Sequence, residues 1–321
     1  EDAQLKHLNA AIEQAKRDGS LYARRAVVLL RKGQAEKALS DANEAVRLTK
    51  NEPSTLFVKA QVLRALGRRD EALPLALQAE RNSYQSSSLY VLLGELYLQR
   101  KDYKQAKLYL EKAQELSPKD GYAYYYKGRV LEATGDTARA LRNYRLALEQ
   151  LPDLMHAQRE LAGVLVSQGK YEAAKPYLLA AQKLEPKDGQ LWYYKGLMYQ
   201  AAQKQDSALM SFNRAVALSD TLYGAHYRLG MTTYAQGNTA DALTHLEKAY
   251  TKYKNDPKYL STLAGSYERT GQNIKALQTY QRLVEVEPRY TYAYQAISRL
   301  KYKLTRPLPD STAVPRETIE Q

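Results

Sequence analysis

Apolar residues recur along this chain at three- and four-residue intervals, in blocks broken by short polar turns, which is the spacing of amphipathic helices. Tyr124, Gly128 and Leu131 fall on one face of one predicted helix, and Ala140, Tyr144 and Ala147 on one face of the next. Gly135-Asp136 supplies the turn between them and Pro152-Asp153 closes the unit. The unit then repeats. Steps of 34 residues give starts at Gly19, Pro53, Ser87, Gly121, Met155, Gly189, Tyr223 and Pro257, so that residues 19–290 read as eight repeats. Small residues hold the eighth position throughout: Ala26, Ala60, Gly94, Gly128, Ala162, Gly196, Gly230 and Ala264. Alanine holds the twentieth in every repeat, from Ala38 to Ala276, and the twenty-seventh in all but the last, where Leu283 stands. Two helices must approach closely at such positions. Pro118, Pro152, Pro186 and Pro288 mark the thirty-second, where a helix stops.

This pattern resembles the tetratricopeptide repeat family. The resemblance implies an all-α fold, a right-handed superhelical solenoid of antiparallel helix pairs, in which each pair leaves an apolar face for the next to cover. The flanks extend the pattern. Residues 1–18, with Leu5, Leu8 and Ile12, read as an N-terminal half-repeat helix, and residues 291–304 as a C-terminal capping helix with Tyr294 at its aromatic packing position. A chain that begins in mid-repeat reads either as one closed by a natural cap or as one from which an upstream signal or lipoprotein leader was removed, and the second is favoured. Residues 305–321 carry Pro307, Pro309 and Pro315 and read as a tail, whose Leu308, Val314 and Ile319 are expected to pack near Tyr292 and Tyr302.

Charge and composition refine this picture. Lys and Arg outnumber Asp and Glu by 48 to 35, a net charge of +13, which favours acidic partners, anionic membrane surfaces or nucleic acid. The absence of cysteine excludes disulfides and thiolate chemistry. No apolar run is long enough to span a membrane, and residues 1–20 lack the apolar stretch of a signal peptide.

Catalytic and metal chemistry finds no support in the residue pattern. His7, His156, His226 and His245 are nowhere within helical contact spacing of one another, and core or surface roles are expected for them; no metal or other cofactor is implied. Gly163 to Lys170 superficially resembles a phosphate loop, but its glycines are spaced wrongly and Tyr171 replaces the Ser or Thr that would hold magnesium. It reads as an inter-helix turn.

The resemblance places a partner in the concave groove, lined by first-helix positions 2, 5, 9, 12 and 13. These give the aromatic residues Phe57, Tyr122, Tyr125, Tyr193, Tyr227 and Tyr234, with Tyr292 and Tyr302 in the capping helix. Basic residues at these positions, among them Arg64, Arg129, Arg159, Arg269 and Arg299, outnumber the acids Glu95, Glu132 and Glu268. Tyrosine with arginine is a pairing enriched at binding hot spots. Position 5 carries no lysine and position 9 no asparagine, so the carboxylate clamp of chaperone-binding family members is absent. The expected function is a non-catalytic scaffold for a protein or peptide with acidic or aromatic residues, and no small-molecule substrate. Nucleic-acid binding is an alternative that lacks a clustered basic run, and a regulatory subunit of a separately encoded enzyme is another. An isolated array of this kind resembles bacterial cell-envelope lipoproteins, which favours a periplasmic or outer-membrane-associated location over the cytoplasm.

Overall fold

The computed structural model describes residues 1–305, and these are helical apart from turns and caps, with no strand among the described residues. The tail and its expected packing lie outside the described residues. Contacts divide the chain into two compact units, Glu1–Ala180 and Ala181–Gln321. The first contains α1 (Asp2–Gln14), α2 (Gly19–Arg31), α3 (Ala35–Leu48), α4 (Pro53–Ala65), α5 (Arg69–Arg81) and α6 (Ser87–Gln99). It continues through α7 (Tyr103–Leu116), α8 (Gly121–Ala133), α9 (Thr137–Gln150), α10 (Met155–Ser167) and part of α11 (Tyr171–Leu184). The second unit holds α12 (Gly189–Ala201), α13 (Gln205–Leu218), α14 (Tyr223–Ala235), α15 (Thr239–Tyr253), α16 (Pro257–Arg269), α17 (Asn273–Val286) and α18 (Thr291–Thr305). The even-numbered helices α2 to α16 begin at the residues reached by steps of 34.

Local chemistry sets the ends of these helices. Asp18, Ser86, Asp120, Asp188 and Asp256 cap first helices by accepting a bond from a backbone N–H of the first turn, and Asp102, Asp136 and Asn238 do the same for second helices. Between the two helices of a repeat the backbone turns left-handed at the fifteenth position, as at Gly135 with φ 87°. Six repeats place glycine there, but the third has Lys101 at φ 60° and the sixth Gln203 at φ 59°. The phosphate-loop resemblance dissolves in this geometry. Residues 163–167 continue α10, so only Gln168 to Lys170 form the turn that the spacing suggested for the whole segment.

Packing explains the small-residue positions. The alanines of the twentieth and twenty-seventh positions are completely or almost completely buried, as is Leu283. At the eighth position a Cβ added to Gly94, Gly128, Gly196 or Gly230 would lie 2.4 to 2.7 Å from Leu110, Tyr144, Phe212 or Leu246, the residue at the twenty-fourth position of the same repeat. The same two positions are Ala26 with Ala42 in the first repeat and Ala60 with Ala76 in the second, all fully buried. In these six repeats size is thus exchanged between facing helices, whereas the fifth and eighth bury Ala162 with Leu178 and Ala264 with Tyr280, and the interior stays close-packed.

Within each unit the first helices also touch one another, α2 with α4, α6 with α8 and α14 with α16, so they form a surface of their own. At the chain's last described helix Leu300 is fully buried, whereas Tyr294, expected at a packing position, is 49% exposed, with no second helix covering it among the described residues.

Candidate functional site

In the first unit α8 sets Tyr122, Tyr125 and Arg129 on one stripe, since they are three and four residues apart. Tyr122 is half exposed, whereas Tyr125 is 4% exposed, packed edge-on to Tyr126 at 4.9 Å and stacked on His156 at 6.2 Å. Arg129 Nη1 donates to Tyr125 Oη at 3.1 Å and lies 3.4 Å from Glu160 Oε1, which also accepts from Arg159 Nη2 at 3.0 Å. Burial works against the Arg129 charge, but Glu160 and Tyr125 outweigh it and hold the guanidinium above its usual pKa. Burial pushes the Tyr125 phenol up, with Arg129 opposing. Further along, Arg64 Nε approaches Glu95 at 3.7 Å, and Glu95 accepts a hydrogen bond from Tyr126.

Two expectations are corrected here. Phe57 is 7% exposed and packs against Tyr84 at 5.4 Å, and Tyr125 is as deeply buried, so neither ring is open to a partner. Their neighbours, Tyr84 and Tyr126, fill the space that position alone would leave open. The excess of free arginine is also smaller than the groove positions suggest. Arg129 and Arg159 share Glu160, at position 6 and so outside the set of positions considered, while Arg64 and Arg299 face Glu95 and Glu268.

The second unit is more aromatic. Tyr193 lies beside Gly224, where an added Cβ would sit 2.7 Å from its Oη, and Arg228 donates to it. Tyr227 stacks on Tyr253 with centroids 4.4 Å apart and also neighbours Tyr259 at 6.1 Å. Tyr234 is fitted the same way beside Gly265, with its Oη 2.7 Å from the position of an added Cβ, and Arg269 stands over its ring at 5.4 Å. Tyr292 meets Tyr280 edge-on at 6.1 Å; Arg299 lies 6.0 Å above Tyr292 and binds Glu268 through two nitrogens, each 3.0 Å from a carboxylate oxygen. Tyr302 is 67% exposed.

The structure therefore brings Tyr234 to Arg269 and Tyr292 to Arg299, as cation–π pairs with part of each group accessible. Sequence reasoning missed Glu160, Tyr126, Tyr253 and the paired glycines. Gly224 and Gly265 carried the available signal, because each follows a groove tyrosine by 31 residues in the numbering and vacates the volume that tyrosine enters. It missed the histidine pair as well: His226 Nδ1 and His245 Nδ1 are 3.0 Å apart, across α14 and α15. Among the described residues, no group of three or more His, Asp or Glu could hold a metal ion, and no helix is long and apolar enough to cross a membrane.

Comparison with known proteins agrees with the helix-pair geometry. Family models described as tetratricopeptide repeat match residues 53–78, 87–120, 159–222 and 233–300, together more than half of the chain. The chain is 23% identical over 250 residues to the BBSome complex member BBS4 of Bos taurus, covering 78% of this chain and 48% of that protein. It is 28% identical over 145 residues to the type IV pilus assembly protein PilF of Pseudomonas aeruginosa, covering 44% of this chain and 58% of that one. A similarity of 28% over 158 residues to the human protein O-mannosyl-transferase TMTC1 covers 48% of this chain but only 18% of the transferase, so the chain spans less than half the length of BBS4 and TMTC1 alike. Among solved structures, that of the APC/C hetero-tetramer Cut9-Hcn1 aligns with a TM-score of 0.66 at 15% identity, over 92% of this chain and 58% of that one. The structure of Pseudomonas aeruginosa PilF aligns with a TM-score of 0.58 at 20% identity, over 68% and 97%. Repeat-length helix pairs, small residues at their contacts and matches along most of the repeat region lead to one assignment: the chain belongs to the tetratricopeptide repeat family.

Proposed function

We propose that this protein is a non-catalytic scaffold whose first-helix surface holds a segment of a partner protein. The observation that carries this reading is the set of accessible tyrosine–arginine pairs in the second unit, Tyr234 with Arg269 and Tyr292 with Arg299. A tyrosine ring offers rigid apolar area with a polar tip, and a guanidinium already seated over it loses little freedom on binding. Such a surface suits a partner segment with aromatic or aliphatic anchors and a few carboxylates. Because Arg64, Arg129, Arg159 and Arg299 already face carboxylates, the surface is a poorer phosphate-binding track than its arginine count suggests, which favours protein over nucleic acid. The similarity to a bacterial type IV pilus assembly protein supports a place in bacterial envelope assembly.

The test is photo-crosslinking with the full chain. A photoreactive residue in place of Tyr302 should capture protein in the native source, and one in place of Arg214, exposed on α13, should not. Combining Tyr234→Ala, Arg269→Ala and Tyr292→Ala should weaken capture about tenfold or more while leaving helicity intact. Equal capture from both positions, or no loss in the triple variant, overturns the reading.

A further inference from the structure

Six of the second helices carry leucine at the twenty-first repeat position: Leu39, Leu73, Leu141, Leu209, Leu243 and Leu277. Leu73, Leu141 and Leu243 are buried there, and the other three pack against a core cluster. The other two are lysines, Lys175 in α11 and, in α7, Lys107, whose side chain is 62% exposed and reaches Glu111, one turn on, at 3.8 Å. A lysine cannot fill the space a leucine fills without burying its charge. An open cleft of about 820 Å³ is present at this place, between α7 and α9.

The floor and walls of the cleft are largely apolar: Val130 and Leu131 of α8, Leu146 of α9, and the rings of Tyr103 and Tyr124. Its polar groups are nearly all of one sign. Lys104 and Lys107 stand one turn apart on α7, Arg139 and Arg142 one turn apart on α9, and Lys127 rises from α8. Asp136 is the single carboxylate in the lining, and it is occupied with capping α9 and pairing Arg139. Lys127 donates to Gln114 at 2.9 Å, while Lys104 and Arg142 are exposed and form no ion pair among the described residues. On α8 the cleft residues lie on the side opposite Tyr122, Tyr125 and Arg129, so this surface is separate from the first-helix face.

We propose that this cleft is a second binding site, which takes an acidic segment of a partner protein. An apolar side chain of the segment enters the volume that leucine fills elsewhere, and its carboxylates lie between the two facing rows of cations. Cations one helical turn apart are about 5–6 Å apart at Cβ, which matches carboxylates one turn apart on a bound helix. Pairing at the cleft mouth fixes orientation, and the apolar insertion supplies the affinity.

A fluorescein-labelled synthetic helix of about 15 residues tests this, with glutamates one turn apart around a single leucine, measured by anisotropy against the full chain. The peptide should bind about tenfold tighter than its glutamine counterpart. Lys104→Glu with Arg142→Glu should abolish that preference, and Lys104→Ala with Arg142→Ala should weaken it in a chain whose melting is unchanged. Lys107→Leu, which refills the leucine position, should raise the melting temperature and weaken binding about tenfold, more than the loss of one charge explains. Arg81→Glu with Arg214→Glu, an equal charge change away from the cleft, should leave binding intact, as should Tyr292→Ala with Arg299→Ala on the first-helix face. Equal loss in the Arg81 and Arg214 variant, or full binding by Lys107→Leu, overturns the proposal. So does tighter, cleft-dependent binding of oligouridylate or of phosphatidylglycerol vesicles. Because the Tyr292 and Arg299 variant reports on the first-helix face alone, the two sites fail or stand separately.

Discussion

In four of the repeats the fourth residue reaches back across the repeat boundary. Tyr22 Oη donates to the carbonyl of Lys16, Tyr124 Oη to that of Pro118, Gln158 Nε2 to that of Pro152 and Trp192 Nε1 to that of Pro186, in every case six residues earlier. His226 points the same way, with Nε2 3.4 Å from the Asp220 carboxylate. An aromatic packing position thus also satisfies a carbonyl near the end of the preceding helix, where backbone acceptors lack helical partners. His226 differs in being titratable. Burial lowers its pKa, with Asp220 opposing, and burial followed by the charge of His226 lowers that of His245. An unfolded imidazole takes up a proton below about pH 6.5, and these two resist doing so in the fold. The stability they contribute is therefore fully present above about pH 6.5 and is lost as the pH falls from there toward their folded values. Thermal melting from about pH 7 to about pH 5 should show a falling midpoint, and His226→Tyr with His245→Gln should flatten the dependence. Close packing sets a second expectation at this scale. Gly128→Ala should cost about 1–3 kcal/mol, because its Cβ would meet the Tyr144 ring at 2.6 Å. A double-mutant cycle with Tyr144→Ala should show strong coupling, and additive effects would contradict the contact.

Helix boundaries were legible in the sequence because each rests on residues next to it: a cap, a small residue where two axes approach, a proline after the last turn. Groove chemistry was less legible because exposure depends on what a neighbouring element places there. Tyr84 closes over Phe57, and Glu160 sits one residue beyond the position used to find Arg159. The contact of His226 with His245 joins helices 19 residues apart in sequence, which helical spacing within one element does not reveal. The turn at the fifteenth position offers a direct check of element-level reasoning. A non-glycine residue in the left-handed region costs about 1–2 kcal/mol, so Lys101→Gly and Gln203→Gly should each raise stability by about 1 kcal/mol in denaturant unfolding. Gly135→Ala should lower it by a similar amount.

Within each unit, a repeat is stabilised chiefly by its immediate neighbours, and the consequences of damage should be local. Ala140 is fully buried, and Ala140→Leu should lower hydrogen-exchange protection in α8 and α9 while α2 and α3 keep theirs. Uniform loss throughout Glu1–Ala180 would instead indicate a single cooperative block. The size exchange between the eighth and twenty-fourth positions also bears on how such an array can be rearranged. A crossover at the border between repeats transfers a first helix together with the second helix shaped to it. A crossover in the turn between them can separate the two: α8 joined to α3 would set Gly128 against Ala42 and leave a void. Duplication, deletion and shuffling of these repeats, in a genome or in the laboratory, are therefore expected to leave viable junctions more often at the starts of first helices than in the turns within a repeat.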